Sequence, residues 1–100
     1  MYLCLVHFFE DSSMPIVAIP ALMRNLTDGE ERVTITGATL REVIDNLEER
    51  YPGTKAKLCD GDRIRPGIGV YVNGVITRIG MHERVDVNAE LHFLPAISGG

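Results

Sequence analysis

The sequence predicts an α+β domain in which one amphipathic helix covers one face of a small mixed sheet, and three observations carry the prediction. Thr39-Leu40-Arg41-Glu42 has the form of a capping box. Leu40, Val43, Ile44, Leu47 and Tyr51 follow at i, i+3, i+4, i+7 and i+11, the single apolar stripe of a 3.6-residue period. Asn73-Gly74 stands between two runs rich in β-branched residues, and no two-residue signal for a hairpin is stronger. The order along the chain is two strands, the helix, then a set of short strands. A chain of 100 residues makes one such domain and can bury roughly 65% of the surface it exposes when unfolded, enough for a core without cross-links.

Composition narrows the partners. Lys and Arg number 10 against 14 Asp and Glu, a net charge of -4, which argues against nucleic acid or an anionic membrane surface and favours a basic or mixed protein surface. Cys4 and Cys59 are the only cysteines, in no ligand spacing, and 45% of the residues are apolar, so the cytoplasm is the expected compartment. His7, His82 and His92 stand at no spacing that makes a metal site with Cys or carboxylates, and no metal is expected. Cys59, beside Asp60-Gly61, has no legible base or oxyanion arrangement and reads as a structural or merely exposed thiol. Gly67 and Gly69 do not follow a strand, so they make no phosphate loop. No catalytic residue is assigned.

Residues 2–9 are an apolar run broken only by His7, too short to span a bilayer and without the basic start of a secretion signal. Glu10-Asp11-Ser12-Ser13 is a polar break before Met14. Two readings stay open: residues 1–13 are an extension of the frame before a start at Met14, or they are an added strand that pairs with a sheet edge or a neighbouring protomer. The domain proper is expected over residues 14–100. Residues 15–19 form a short strand with Val17 and Ile19 on one side, closed by Pro20. Leu22, Met23 and Leu26 suit a single helical turn over the core edge, and residues 25–31 a turn with Asp28-Gly29 at its tip. Arg32-Val33-Thr34-Ile35-Thr36 alternates with Val33 and Ile35 inward.

The helix that follows is about three turns long and stops at Pro52-Gly53. In its box Thr39 accepts from the Glu42 amide while the Glu42 carboxylate reaches the Thr39 amide. Its outer face (Arg41, Glu42, Asp45, Asn46, Glu48, Glu49, Arg50) reads as solvated surface. Residues 54–67 are polar and basic without a period and are expected to be a long surface loop. Strands at residues 68–72 and 75–77 make the hairpin. Val85 and Val87 precede a turn at Asn88-Ala89-Glu90, and residues 91–94 return as the last strand with Leu91 and Phe93 on one face.

The last strand leads into the most unusual stretch of the chain. Proline gives no amide hydrogen to a ladder, so pairing is expected to fail at Pro95. Beyond Ile97 the residues shrink through Ser98 to Gly99-Gly100. Another protein can close around such a thread from every side. Two adjacent glycines at a chosen place arise by chance in about 0.5% of sequences, from a usage of roughly 7% each.

The capped helix, Val70-Tyr71-Val72-Asn73-Gly74 and Phe93-Leu94-Pro95-Ala96-Ile97-Ser98-Gly99-Gly100 together resemble the MoaD/ThiS family of ubiquitin-like sulfur carriers, over residues 14–100. Ile19-Pro20, Leu22-Met23-Arg24, Leu47-Glu48, Tyr51-Pro52-Gly53 and Leu94-Pro95-Ala96 are most similar to its CysO-like carriers, which deliver sulfur for cysteine synthesis. The resemblance implies a β-grasp fold, and a carrier that is no enzyme and binds no cofactor. It implies that an E1-like adenylating enzyme uses ATP to activate the carboxylate of Gly100. A sulfur donor then makes the thiocarboxylate, and a sulfur-accepting synthase consumes it. Gly99 and Ser98 belong to the thread, and Phe93, Leu94, Pro95 and Ile97 are candidates for contact with the partner. Carriers that serve molybdopterin synthase usually end Pro-Pro-Val-Ala-Gly-Gly or close to it. Ala96 and Ser98 depart from that ending and leave the acceptor open, so a molybdopterin synthase small subunit stays an alternative. A ubiquitin-like modifier conjugated to lysines and a non-covalent interaction module with an incidental tail are the other two.

Overall fold

A computed structural model describes residues 14–77 and 79–95 of the chain. Cys4, His7 and the rest of residues 1–13, together with Ala96, Ile97, Ser98, Gly99 and Gly100, lie outside the described residues. The chain begins with β1 (Ile16–Ala18), a 3-10 turn over Ala21–Met23 and β2 (Arg32–Thr34), and continues with the helix α1 (Leu40–Arg50). A short helix α2 (Thr54–Leu58), β3 (Cys59–Asp60) and β4 (Arg63–Ile64) follow. The hairpin is β5 (Ile68–Val72) and β6 (Val75–Ile76), and β7 (Glu90–Pro95) closes the order. Five strands form one mixed sheet in the order β2-β1-β7-β5-β6, with β1 parallel to β7 and the other pairs antiparallel. This is the β-grasp arrangement that the family resemblance implies.

The core lies between α1 and one face of that sheet. Leu40, Val43, Ile44 and Leu47 of α1 are fully buried, and Val17, Val33, Val70, Leu91 and Phe93 meet them from the strands. At about 1.5–3 kcal/mol per side chain, those four helix residues contribute roughly 6–12 kcal/mol of gross burial, before the entropy of ordering is subtracted. Tyr51 is half-buried at the end of the stripe. Asn73 and Gly74 both take positive φ, 52° and 84°, which gives the hairpin the tight turn whose twist matches its strands.

Four expectations are corrected. The Thr39 hydroxyl accepts the Glu42 amide at 3.3 Å, but the Glu42 carboxylate takes the Ala38 amide, at 2.9 Å, rather than that of Thr39. Residues 38–40 are held in an extended bridge to residues 83–85, and the box closes one residue early. Residues 54–67 are no loop. Thr54 and Leu58, four apart and buried, pin one turn of helix, and β3 pairs with β4 through Cys59↔Ile64 and Asp60↔Arg63. Leu22 points to solvent, 91% exposed, while Met23 beside it is buried, because a 3-10 turn of three residues offers only one of them to the core. Pairing also does not stop before Pro95, which stands opposite Ile68 in the ladder. A proline at the last position of a strand forgoes one donor without breaking the register.

Candidate functional site

β7 lies in the middle of the sheet, between β1 and β5, so Pro95, its last residue, stands at the centre of the sheet and not at its edge. Strand alternation divides its residues between two environments. Leu91 and Phe93 face α1, whereas Glu90, His92 and Leu94 face the open side of the sheet. Phe93 is only 3% exposed and belongs to the core, which corrects its place among the partner-contact candidates: its parity with Leu91 turns it inward. Leu94 is 47% exposed and can meet a partner. Pro95 occupies the last register position. Ile97, Ser98, Gly99 and Gly100, the remaining candidates, lie outside the described residues.

Around Leu94 the open face is apolar toward the hairpin and charged toward β2. Gly69 stands opposite Leu94 and leaves room for its neighbours. A Cβ there would lie 3.4 Å from Cε1 of Tyr71 and 3.6 Å from Cδ1 of Ile76. Leu94, the backbone of Gly69, Tyr71 and Ile76 therefore form one continuous strip. On the other flank Glu90 accepts Arg32 at 2.7 Å and meets Nε2 of His92 at 3.1 Å. A groove of about 340 Å³ runs past Pro20, Arg24, Arg32, His92 and Leu94. The sequence reading assigns Gly69, Tyr71 and Ile76 no part in the site, although counting back from the Asn73-Gly74 turn places Tyr71 and Ile76 opposite one another on a single face.

The described residues carry no other assembly with chemistry of its own. No three His, Cys, Asp or Glu side chains among them converge to hold a metal ion. None of their helices is long and apolar enough to cross a membrane. Cys59 is buried, and that burial pushes its thiol up against the opposing pull of the Lys55 cation, the reverse of what an activated nucleophile needs.

The family model described as "ThiS family" matches residues 17–100, through the last glycine. Sulfur carrier protein CysO of Mycobacterium tuberculosis is 32% identical over 89 residues, which cover 84% of this chain and 96% of that protein. Among solved structures, the Amycolatopsis orientalis BexX/CysO complex contains a chain with a TM-score of 0.79 and 39% identity, over 86% of this chain and 99% of that one. M. tuberculosis CysO has a TM-score of 0.77 and 30% identity, over 83% and 99%. The match spans the core, the central strand and the terminal glycines alike, and the chain belongs to the ThiS family.

Proposed function

We propose that this chain is a sulfur carrier whose working group is the carboxylate of Gly100. The observation that carries the reading is the family match through residue 100, beyond a central strand whose last outward side chain is the exposed Leu94. A carboxylate is a poor electrophile because its oxygen leaves badly. An activating enzyme of E1-like kind would join it to AMP from ATP, releasing pyrophosphate. Sulfur delivered by a donor at the sulfide level, as HS⁻, then attacks the acyl carbon, AMP departs with the electron pair of the broken C–O bond, and after loss of the proton the carboxylate has become a thiocarboxylate. The carrier supplies no acid, base or metal to these steps, only a reactive end and a surface to hold it by.

That surface is the open face beside the exit: Leu94, Tyr71 and Ile76 as the apolar contact, with the Arg32–Glu90–His92 cluster at its rim. Apolar anchors within a charged frame are the usual composition of a transient protein interface. The named relatives support a sulfur-carrying role, and the resemblance of this chain to CysO-like carriers favours cysteine synthesis as the destination. The acceptor would be a synthase that draws the thread into its active site.

Intact-mass measurement of the protein from its native host tests the reading. A C-terminal exchange of one oxygen for sulfur is expected. A covalent adduct with another protein indicates a modifier instead, and an unaltered terminus in the presence of its activating enzyme, ATP and sulfur donor overturns sulfur carriage.

A further inference from the structure

We propose that the surface around Leu22 receives a short acidic and apolar segment of a partner protein, with a large apolar side chain seated between the 3-10 turn and α2 and carboxylates meeting Lys57 and Arg24. A groove of about 270 Å³ lies there, walled by Leu22, Met23, Leu58, Ile68 and Leu94, and Lys57 is the one charged residue on its lining. The groove of about 340 Å³ that holds Arg24 adjoins it, since Pro20, Phe93 and Leu94 line both. Together they make an open track that suits an extended peptide.

An apolar anchor and a local charge select the occupant. Leu22 is 91% exposed, more than any other large apolar side chain among the described residues. The turn that carries it is nevertheless braced: the Met23 amide donates to the Pro20 carbonyl at 2.9 Å, and Nε of Arg24 donates to the Ile19 carbonyl at 3.2 Å. A leucine held out on a fixed backbone loses little further backbone freedom when a partner covers it, which suits it to anchor an interface. Charge then decides what lies beside it. Among the described residues Arg32 and Lys55 stand in ion pairs with Glu90 and Asp45, whereas Arg24 and Lys57 stand in none. Glu31 is the only carboxylate on either lining. In a chain of net charge -4 the track is a local cationic stretch, and the segment complementary to it bears Asp or Glu next to its apolar residue. This surface is distinct from the strip of Tyr71 and Ile76, and it makes no use of the chemistry of Gly100.

Random dodecapeptides displayed on phage test the surface when they are selected on the full-length protein and depleted on its Leu22→Asn variant, which should keep the parent's unfolding midpoint because the side chain is exposed. Lys57→Glu takes its place in the depletion if Leu22→Asn loses the fold. Surviving peptides are expected to carry Asp or Glu within a few residues of a large apolar side chain. Once synthesised, they should shift the methyl signals of Leu22 and Leu58 in labelled protein. Lys57→Glu should weaken their binding at least tenfold, and added salt should weaken it in the parent. An empty selection, survivors without acidic residues, or undiminished binding to Lys57→Glu overturns the proposal. So do shifts confined to the Ile76 methyls. Leu22 signals that move with protein concentration alone would put a second copy in the groove, and signals that move on removal of residues 1–13 would put the chain's own segment there; either result overturns the proposal as well. No activating enzyme is present, so a failed selection leaves sulfur carriage standing, just as an unaltered terminal mass leaves this surface standing.

Discussion

The Glu48 carboxylate accepts the backbone amide of Lys55 at 2.9 Å, so a residue near the end of α1 caps the start of α2. The same carboxylate takes the Gly53 amide at 3.1 Å. Gly53 itself, at φ 102°, offers no side chain for the purpose. A five-residue helix cannot sustain itself in water, and α2 depends on this anchor and on the burial of Thr54 and Leu58. Glu48→Ala should therefore cost about 1–2 kcal/mol, and Glu48→Gln, which keeps an acceptor without the charge, less. Urea unfolding measures both. A loss within error of zero for Glu48→Ala would show that α2 stands without its cap.

Gly37 brings the chain against the first turns of α1 more closely than any other residue type allows. A Cβ at this position would lie 2.6 Å from Cγ2 of Val43 and 2.7 Å from its backbone nitrogen. The nitrogen belongs to the helix and cannot swing away. Gly37→Ala should cost about 2–4 kcal/mol by the mechanism of overpacking. Gly29 is the control, since at φ 84° it has nothing within 4 Å of the added atom. There only the backbone conformation resists, at about 1 kcal/mol. Equal losses in the two variants would show that the contact with Val43 yields.

Legibility in the sequence follows the reach of each interaction. The α1 stripe and the Asn73-Gly74 turn are local patterns, and both form as read. Residues 54–67 escape because neither of their signals is local. One helical turn and two-residue strands are too short to show a period, and the groups that hold them, Glu48 and Asp45, lie on the face of α1 read as solvated surface. At the site, the outward turn of Leu94 was legible from alternation along β7. The strip it joins was not, because it is assembled across the ladder from Gly69, Tyr71 and Ile76, and only the register brings them together.

Adjacent residues Phe93 and Leu94 separate folding from docking. Leu94→Asp places a charge on an exposed position and should leave the unfolding midpoint nearly unchanged while weakening binding to the activating enzyme at least tenfold, the effect of losing about 1.4 kcal/mol at an interface anchor. Phe93→Asp buries an unpaired carboxylate and should abolish the folded state. Circular dichroism and titration calorimetry separate the two outcomes. Unfolding of Leu94→Asp would place Leu94 in the core. Undiminished binding by the folded variant would move the docking surface away from the open face.

Cys59 gives the protein a stability that depends on pH. Burial pushes its thiol up, so the folded protein keeps a proton that the unfolded chain releases. The associated stability is fully present below about pH 8.5, the ordinary value for a cysteine, and is lost as pH rises through the folded value. Lys55, raised by its hydrogen bond to Asp45, contributes in the same sense at higher pH. In a Cys4→Ser background, where one thiol remains, unfolding free energy should be lower at pH 9.5 than at pH 7.5. Adding Cys59→Ala should lower it at both values and reduce the difference between them. An undiminished difference would assign the pH dependence to other groups.

The terminus is tested by moving it and by thickening it. A carrier must present its final carboxyl carbon where the activating enzyme holds ATP, and the residues before that carbon must pass through a close-fitting channel. One alanine added after Gly100 keeps an α-carboxylate of nearly the same chemistry but displaces it by about 3.5 Å, one extended residue, and a shift of that size is severe for an attack that needs alignment. Gly99→Val keeps the length, adds a branched side chain at the channel wall and excludes any positive φ in the bound thread. Both changes lie beyond β7 and its core contacts, so both proteins should fold with the parent's unfolding midpoint. Each should be adenylated at least 100-fold more slowly, since that factor corresponds to about 2.7 kcal/mol of lost transition-state stabilisation. Pyrophosphate release follows the first step and intact mass the second. Rates equal to the parent's in either variant would show that the terminal glycines are not the working end, and would leave a plain interaction module as the better account of the chain.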